Sequence, residues 1–266
     1  MRDVEATAVD QKKFTGERPG WGEGFEYDYG RHIAAYRFAT TLAAGQRVLD
    51  AGCGEGFGTQ TLCDVAAEVT GVDYSDSAIS ECRRLWKKPN LRFERVDLTH
   101  PGGFGETFDL VINFQVLEHI RDPEPFLTGL RERLGQRGVL VLTTPNRLRT
   151  ISENPYHVRE YTAVELGELL RKVFGSVEIR GMHGNAGVEA FEAGRARAVR
   201  NILRLDPLGI RKLLPAWLVQ FAFARLAKLV RRSAQPSGAA TIAPEDFSVS
   251  ADDVDRALDL VALCRR

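Results

Sequence analysis

The run Val48-Leu49-Asp50-Ala51-Gly52-Cys53-Gly54-Glu55-Gly56-Phe57-Gly58 sets a carboxylate directly before a series of alternating glycines. Such glycines let the chain turn tightly and let a ligand approach the backbone. A carboxylate at that point would repel a pyrophosphate. It can instead hold the ammonium of an amino-acid tail, directly or through water. Two further acids occupy equivalent places: Asp73, after Val69-Thr70-Gly71-Val72 and before Tyr74, and Asp97, after Phe93-Glu94-Arg95-Val96 and before Leu98. At strand tips, Asp73 can accept hydrogen bonds from two ribose hydroxyls and Asp97 from an adenine amino group. Three carboxylates in series suit a cationic ligand without phosphate. Taken singly, Asp73 and Asp97 read equally as strand-end caps, and the glycine loop alone is shared with nicotinamide-binding folds.

These residues need a scaffold that brings successive strand ends together. Strands read at 47–50, 68–73, 91–96, 108–114, 139–144 and 177–180. Helices read at 31–43, 56–67, 76–87, 123–134 and 163–173. This alternation implies right-handed crossovers and a parallel sheet covered on both faces, an α/β fold. The apolar segment 257–264 reads as a last strand returning to that sheet. The expected division is an N-terminal arm and helix at 1–45 covering the ligand site, a core at 46–188, a helical insert at 189–244, and a C-terminal segment at 245–266. Hydrophobic residues make up 44% of the 266, enough for a full core, and the formal net charge is zero, which argues against a nucleic-acid binder. The N-terminus Met1-Arg2-Asp3-Val4-Glu5 lacks a signal-like apolar stretch. The scattered Cys53, Cys63, Cys82 and Cys264 read as reduced thiols, so a cytoplasmic location is expected.

The glycine loop, Asp73, Asp97, the block Phe108-Asp109-Leu110-Val111-Ile112-Asn113-Phe114-Gln115-Val116-Leu117-Glu118-His119-Ile120 and Thr143-Thr144-Pro145-Asn146 together resemble the class I S-adenosylmethionine (SAM)-dependent methyltransferases of the broad type 11 kind, over about residues 30–182. The resemblance implies a Rossmann-like, doubly wound, seven-stranded sheet in the order 3-2-1-4-5-7-6. The last strand would be antiparallel, with the helical insert before it. It further implies that Asp50, Gly52, Gly54, Gly56, Asp73, Tyr74, Asp97, Leu98, Asn113, Phe114 and Gln115 line a pocket for SAM, which leaves as S-adenosylhomocysteine. Asp109, at the base of its strand, is expected to hold local backbone.

Methyl transfer from a sulfonium is an in-line displacement, so the protein must align the acceptor and exclude water. A hydroxyl acceptor also profits from a general base. His157, in Asn154-Pro155-Tyr156-His157-Val158-Arg159-Glu160-Tyr161, is the first candidate and His119 the second; packed or capping roles are the plain alternatives. His32, His100 and His183 lie in less telling contexts. Relatives in quinone biosynthesis hold a divalent metal with a Glu/His set here but carry an acid near Gln115, so no metal is expected. The segments 14–18, 29–39 and 154–161 resemble, more loosely, methyltransferases of polysaccharide and glycolipid pathways. The expectation is therefore O-methylation of a sugar, glycan or other small molecule. N- or C-methylation of a metabolite and a non-catalytic SAM-binding partner are the alternatives. An amphipathic helix over 215–232 would serve as a pocket lid, a homodimer contact or a peripheral membrane contact.

Overall fold

The computed structural model describes residues 26–99, 105–151, 154–204 and 242–266. The elements are α1 (Glu26–Thr40), β1 (Arg47–Ala51), α2 (Thr59–Leu62), β2 (Glu68–Asp73), α3 (Asp76–Leu85), β3 (Leu91–Arg95), β4 (Phe108–Phe114), α4 (Pro123–Glu132), β5 (Leu134–Pro145), α5 (Ala163–Arg171), β6 (Ser176–Gly184), α6 (Ala186–Leu203), β7 (Phe247–Ser250) and β8 (Asp259–Arg265). They form one sheet in the order β3-β2-β1-β4-β5-β8-β6-β7. The first five strands pair parallel, and β8 runs antiparallel between β5 and β6.

Side chains of a strand alternate between its two faces, and both faces here are apolar. Val48, Leu110, Ile112, Val141 and Val261 share one core with Ala35 and Ala39 of α1 and Phe191 of α6. Their neighbours Leu49, Val111, Leu140, Leu142 and Leu260 build the other, against Phe126 and Leu130 of α4 and Leu166 and Leu170 of α5. Local signals start the helices. Ser75 accepts from the Ala78 amide at the head of α3, and Thr162 and Glu165 form a reciprocal capping box on α5.

The expected sheet is corrected in its count. An eighth strand, β7, pairs antiparallel with the outer edge of β6. Its four residues, Phe247–Ser250, fall in the C-terminal segment where only 257–264 reads as a strand. The last strand begins at Asp259 rather than 257, because a 3-10 turn over Val254–Arg256 precedes it. The helix expected over 56–67 shrinks to Thr59–Leu62: Gly56 takes a φ of +72°, incompatible with a helix, and Val65 closes a turn on Leu62. Strand β5 starts early, at Leu134, and its pairing with β4 is irregular between Phe108 and Leu110. Asp109 accepts from the Arg47 amide, the local role expected of it. Of the helical insert, α6 is described; the helix expected over 215–232 and the arm before residue 26 lie outside the described residues. No described helix is long and apolar enough to cross a membrane.

One long-range pair fixes α1 to the sheet. Arg31 grips both carboxylate oxygens of Asp259 at the start of β8, through Nε at 2.6 Å and through Nη2. Asp259 is almost fully buried. Removing Arg31 strands that charge, and breaking a buried pair on one side costs about 3–5 kcal/mol. Arg31→Ala should therefore lower the unfolding free energy obtained from chemical denaturation by this amount. The double variant Arg31→Ala/Asp259→Ala should lose clearly less than the sum of the two single ones.

Candidate active site

The β1 tip carries the most constrained carboxylate. Asp50 is buried, and one of its oxygens, Oδ2, accepts from Tyr36 Oη at 2.8 Å and Thr59 Oγ1 at 2.6 Å. The other, Oδ1, is buried without a partner. Burial pushes the acid up to about 6, against the pull of the hydrogen bonds from Thr59 and Tyr36. A second buried acceptor without a partner, Asn113 Oδ1, stands at the end of neighbouring β4; the same side chain donates to the Ala51 carbonyl at 2.6 Å. Unsatisfied buried acceptors are rare and call for a donor. An ammonium supplies three, so these two fit the tail of an amino acid.

The glycine loop hugs this point. Gly52 has a φ of +94°, and a Cβ there would sit 2.5 Å from Val116. Gly54 and Gly56 also take positive φ. Gly58 is bare because the Tyr36 ring, 2.1 Å from where its Cβ would be, occupies the space. Tyr36 is thus held against the loop while its hydroxyl reaches Asp50. It belongs to an aromatic group from α1 (Tyr29, His32, Tyr36) packed on Phe57 and Phe114. Burial and Arg31 push His32 down to about 4, so it is neutral there.

The remaining expected cofactor residues sit along the same edge. Asp73, nearly buried, accepts from the Gly54 amide at 3.0 Å and the Ser75 amide at 2.8 Å, tying the β2 tip to the loop. Tyr74 points outward and is 71% exposed. Asp97 is exposed, its Oδ1 accepting from the backbone and hydroxyl of Thr99, and Leu98 packs partly against the core. Phe114 is buried. Gln115 has a φ of +56° and lays its amide toward Thr143 Oγ1, at 3.3 Å. The strand tips therefore bring together Asp50, the glycines, Asp73 and Asn113, and leave Asp97 and Tyr74 on the rim.

Beyond β4 and β5 lies a second polar group. Glu118 is buried and accepts from Thr144 Oγ1 at 3.0 Å; burial pushes it up to about 7, against its own backbone amide, His157 and Thr144. The His119 and His157 rings meet edge-on with centroids 5.0 Å apart. Glu118, His119 and His157 each offer a ligand atom within 4.8 Å of the others, so the three could hold a cation. His157 is bonded at both nitrogens, to Glu160 and Asn154, and His119 Nδ1 lies 3.1 Å from the Tyr156 carbonyl.

The family described as a methyltransferase domain matches residues 26–189, which hold both polar groups. The chain belongs to the SAM-dependent methyltransferases. A methyltransferase of this kind from Mycolicibacterium smegmatis is 36% identical over 207 residues, covering 73% of this chain and 77% of that one. The ubiquinone biosynthesis O-methyltransferase of Cereibacter sphaeroides is 34% identical over 127 residues, 45% of this chain and 51% of that protein. Among solved structures, a SAM-dependent methyltransferase from Thermotoga maritima aligns with a TM-score of 0.54 at 16% identity, over 91% of this chain and 97% of that one. The [4+2]-cyclase SpnF aligns at 0.56 and 19% identity, over 89% and 80%, so the shared fold alone does not fix the reaction.

When bound, SAM supplies a methyl group already activated by its sulfonium charge. The orphaned oxygens of Asp50 and Asn113 beside the glycine loop fit its amino-acid tail, and Asp73 would be the acceptor for its ribose hydroxyls. The sequence reading missed Tyr36 and Thr59. The spacing Tyr29, His32, Tyr36 puts three rings on one helix face and was the available signal; Thr59 had none.

Asp73→Ala should weaken S-adenosylhomocysteine binding by about 1.5–3 kcal/mol in calorimetry; an unchanged affinity would mean that Asp73 does not meet the ribose. The ammonium needs Asp50 ionised, and the free acid takes up its proton near 6. Affinity should be level between that titration and the alkaline loss of the ligand's own ammonium proton, and fall as the pH drops through about 6. Asp50→Asn should bind weakly and without that dependence.

Proposed function

We propose that this methyltransferase acts on a hydroxyl of a sugar, glycan or other small molecule, with His157 the first candidate base and His119 the second, and without a metal. The observation that carries this reading is the pair of histidines set beside Glu118 at the carboxyl edge of β4 and β5. In a doubly wound sheet ligands lie beyond the strand ends. The tips of β1 and β2 are taken up by the cofactor residues, so the acceptor has the space above β4 and β5. A hydroxyl is a poor nucleophile until it loses its proton, and base catalysis there contributes about 10²–10⁴-fold. The name of the Cereibacter relative, an O-methyltransferase, points the same way. Metal-using relatives in quinone biosynthesis carry an acid near the position of Gln115, so the group Glu118, His119 and His157 lacks one charged ligand.

The test is a panel of acceptors incubated with methyl-labelled SAM: neutral methyl glycosides, a catechol, and the matching 2-amino-2-deoxy glycosides. Label should enter ether linkages on hydroxyl probes and persist in EDTA. Transfer to the amino glycosides alone, or loss of turnover in EDTA restored by a divalent ion, would contradict the reading.

A further inference from the structure

The loop after β5 holds His157 in a specific state. The Tyr156 amide donates to Asn154 Oδ1 at 3.1 Å, which fixes the orientation of the Asn154 amide group. Its other end, Nδ2, therefore donates to His157 Nε2 at 2.8 Å. Nε2 accepts, so the ring proton sits on Nδ1 and points to Glu160 Oε1, 2.6 Å away. Glu160 is itself oriented, since Thr150 Oγ1 donates to its second oxygen. Both side chains are largely shielded, His157 at 15% and Glu160 at 9% exposure. Burial would raise the Glu160 acid, yet the hydrogen bonds from His157 and Thr150 and the charge of Arg31 hold it below the ordinary value. Among the described residues, the other charged or titratable groups facing the ring are Glu118 and His119, from the turn after β4, and Asp259 acts on Glu118 from β8.

We propose that Glu160 is a positioning residue: it locks His157 in the Nδ1–H tautomer, so that Nε2 presents its lone pair to the acceptor in place of Asn154. This rests on the hydroxyl-acceptor reading above. The acceptor donates its O–H to Nε2 where the Asn154 amide now donates. In the step, the acceptor O–H bond breaks and its proton passes to Nε2. The oxygen electron pair forms the bond to the methyl carbon, and the carbon–sulfur pair stays on sulfur. The sulfonium charge thus ends as an imidazolium, which the Glu160 carboxylate stabilises at Nδ1–H. An acid in this place orients the ring and offsets the developing charge without taking the proton itself.

The test compares wild type with Glu160→Gln and Glu160→Asp. Long-range ¹H–¹⁵N NMR of the wild-type imidazoles should show His157 with its proton on Nδ1; a dominant Nε2–H form would overturn the proposal with no acceptor needed. With the hydroxyl probe that wild type turns over, Glu160→Gln should lower kcat by about 10²-fold with little change in KM. It should also move the acid limb of the kcat/KM profile about one unit to lower pH. The NMR titration of His157 should move in the same direction. Glu160→Asp, which keeps the charge, should recover part of the rate, and all three proteins should bind S-adenosylhomocysteine alike. Unchanged kcat and pH profile in Glu160→Gln would assign Glu160 to loop structure only. If no hydroxyl probe is methylated, the hydroxyl reading fails, while the wild-type tautomer and the His157 titration still decide this proposal.

Discussion

Asp50 is a carboxylate almost without solvent, at the end of a strand covered on both faces, and one of its oxygens has no partner. Burying such a charge is costly unless it is paired and hydrogen-bonded. Two neutral donors, Tyr36 and Thr59, serve one oxygen only. The acid consequently titrates near 6 instead of staying fully ionised, and the orphan oxygen keeps its demand for a donor. A fold that did not bind a cation here would gain by replacing Asp50 with an apolar residue. Keeping the acid makes sense in the presence of an ammonium, and most of the surrounding structure is arranged around that point. The glycines stay bare to let backbone and Tyr36 close in, Asn113 braces the adjacent strand, and Asp73 clips the second strand to the loop.

Helix α1 couples this point to the other half of the site. Tyr36 touches Asp50, and five residues earlier Arg31 clasps Asp259 at the edge where the acceptor is proposed to sit. Arg31 also acts electrostatically on Glu160, the partner of His157. One helix therefore reaches polar groups at both ends of the edge. The Arg31–Asp259 pair is weak evidence for added stability in itself, because desolvation offsets much of its attraction. Its consequence is geometric: it holds α1 over the glycine loop and β8 in its antiparallel slot.

The sheet was readable where short apolar strands lie between turn residues, as with Arg47–Ala51 between Gly45 and Gly52. Local backbone conformation was less so. Gly56 read as the start of a helix, because a helical pattern cannot reveal a positive φ. The edge strand β7 carries only four residues, and the alternation of Phe247 and Val249 with two serines is a weak strand signal at that length. Among site residues, the loop and Asp73 announced themselves through position after a strand. Tyr36, Thr59, Arg31 and Asp259 did not, since their partners lie across the fold: Arg31 and Asp259 are 228 residues apart. Glu160 sits three residues from His157, a spacing that invites a contact only once the loop conformation is known.

Calorimetric titration of the purified chain with S-adenosylhomocysteine, run beside NAD at the same pH, tests the account most directly. Saturable binding of one S-adenosylhomocysteine per chain, with no heat from NAD, is the predicted result. Tight NAD binding with no response to S-adenosylhomocysteine would contradict it, because the Asp50 carboxylate and its glycine loop would then be holding a pyrophosphate that their charge should repel.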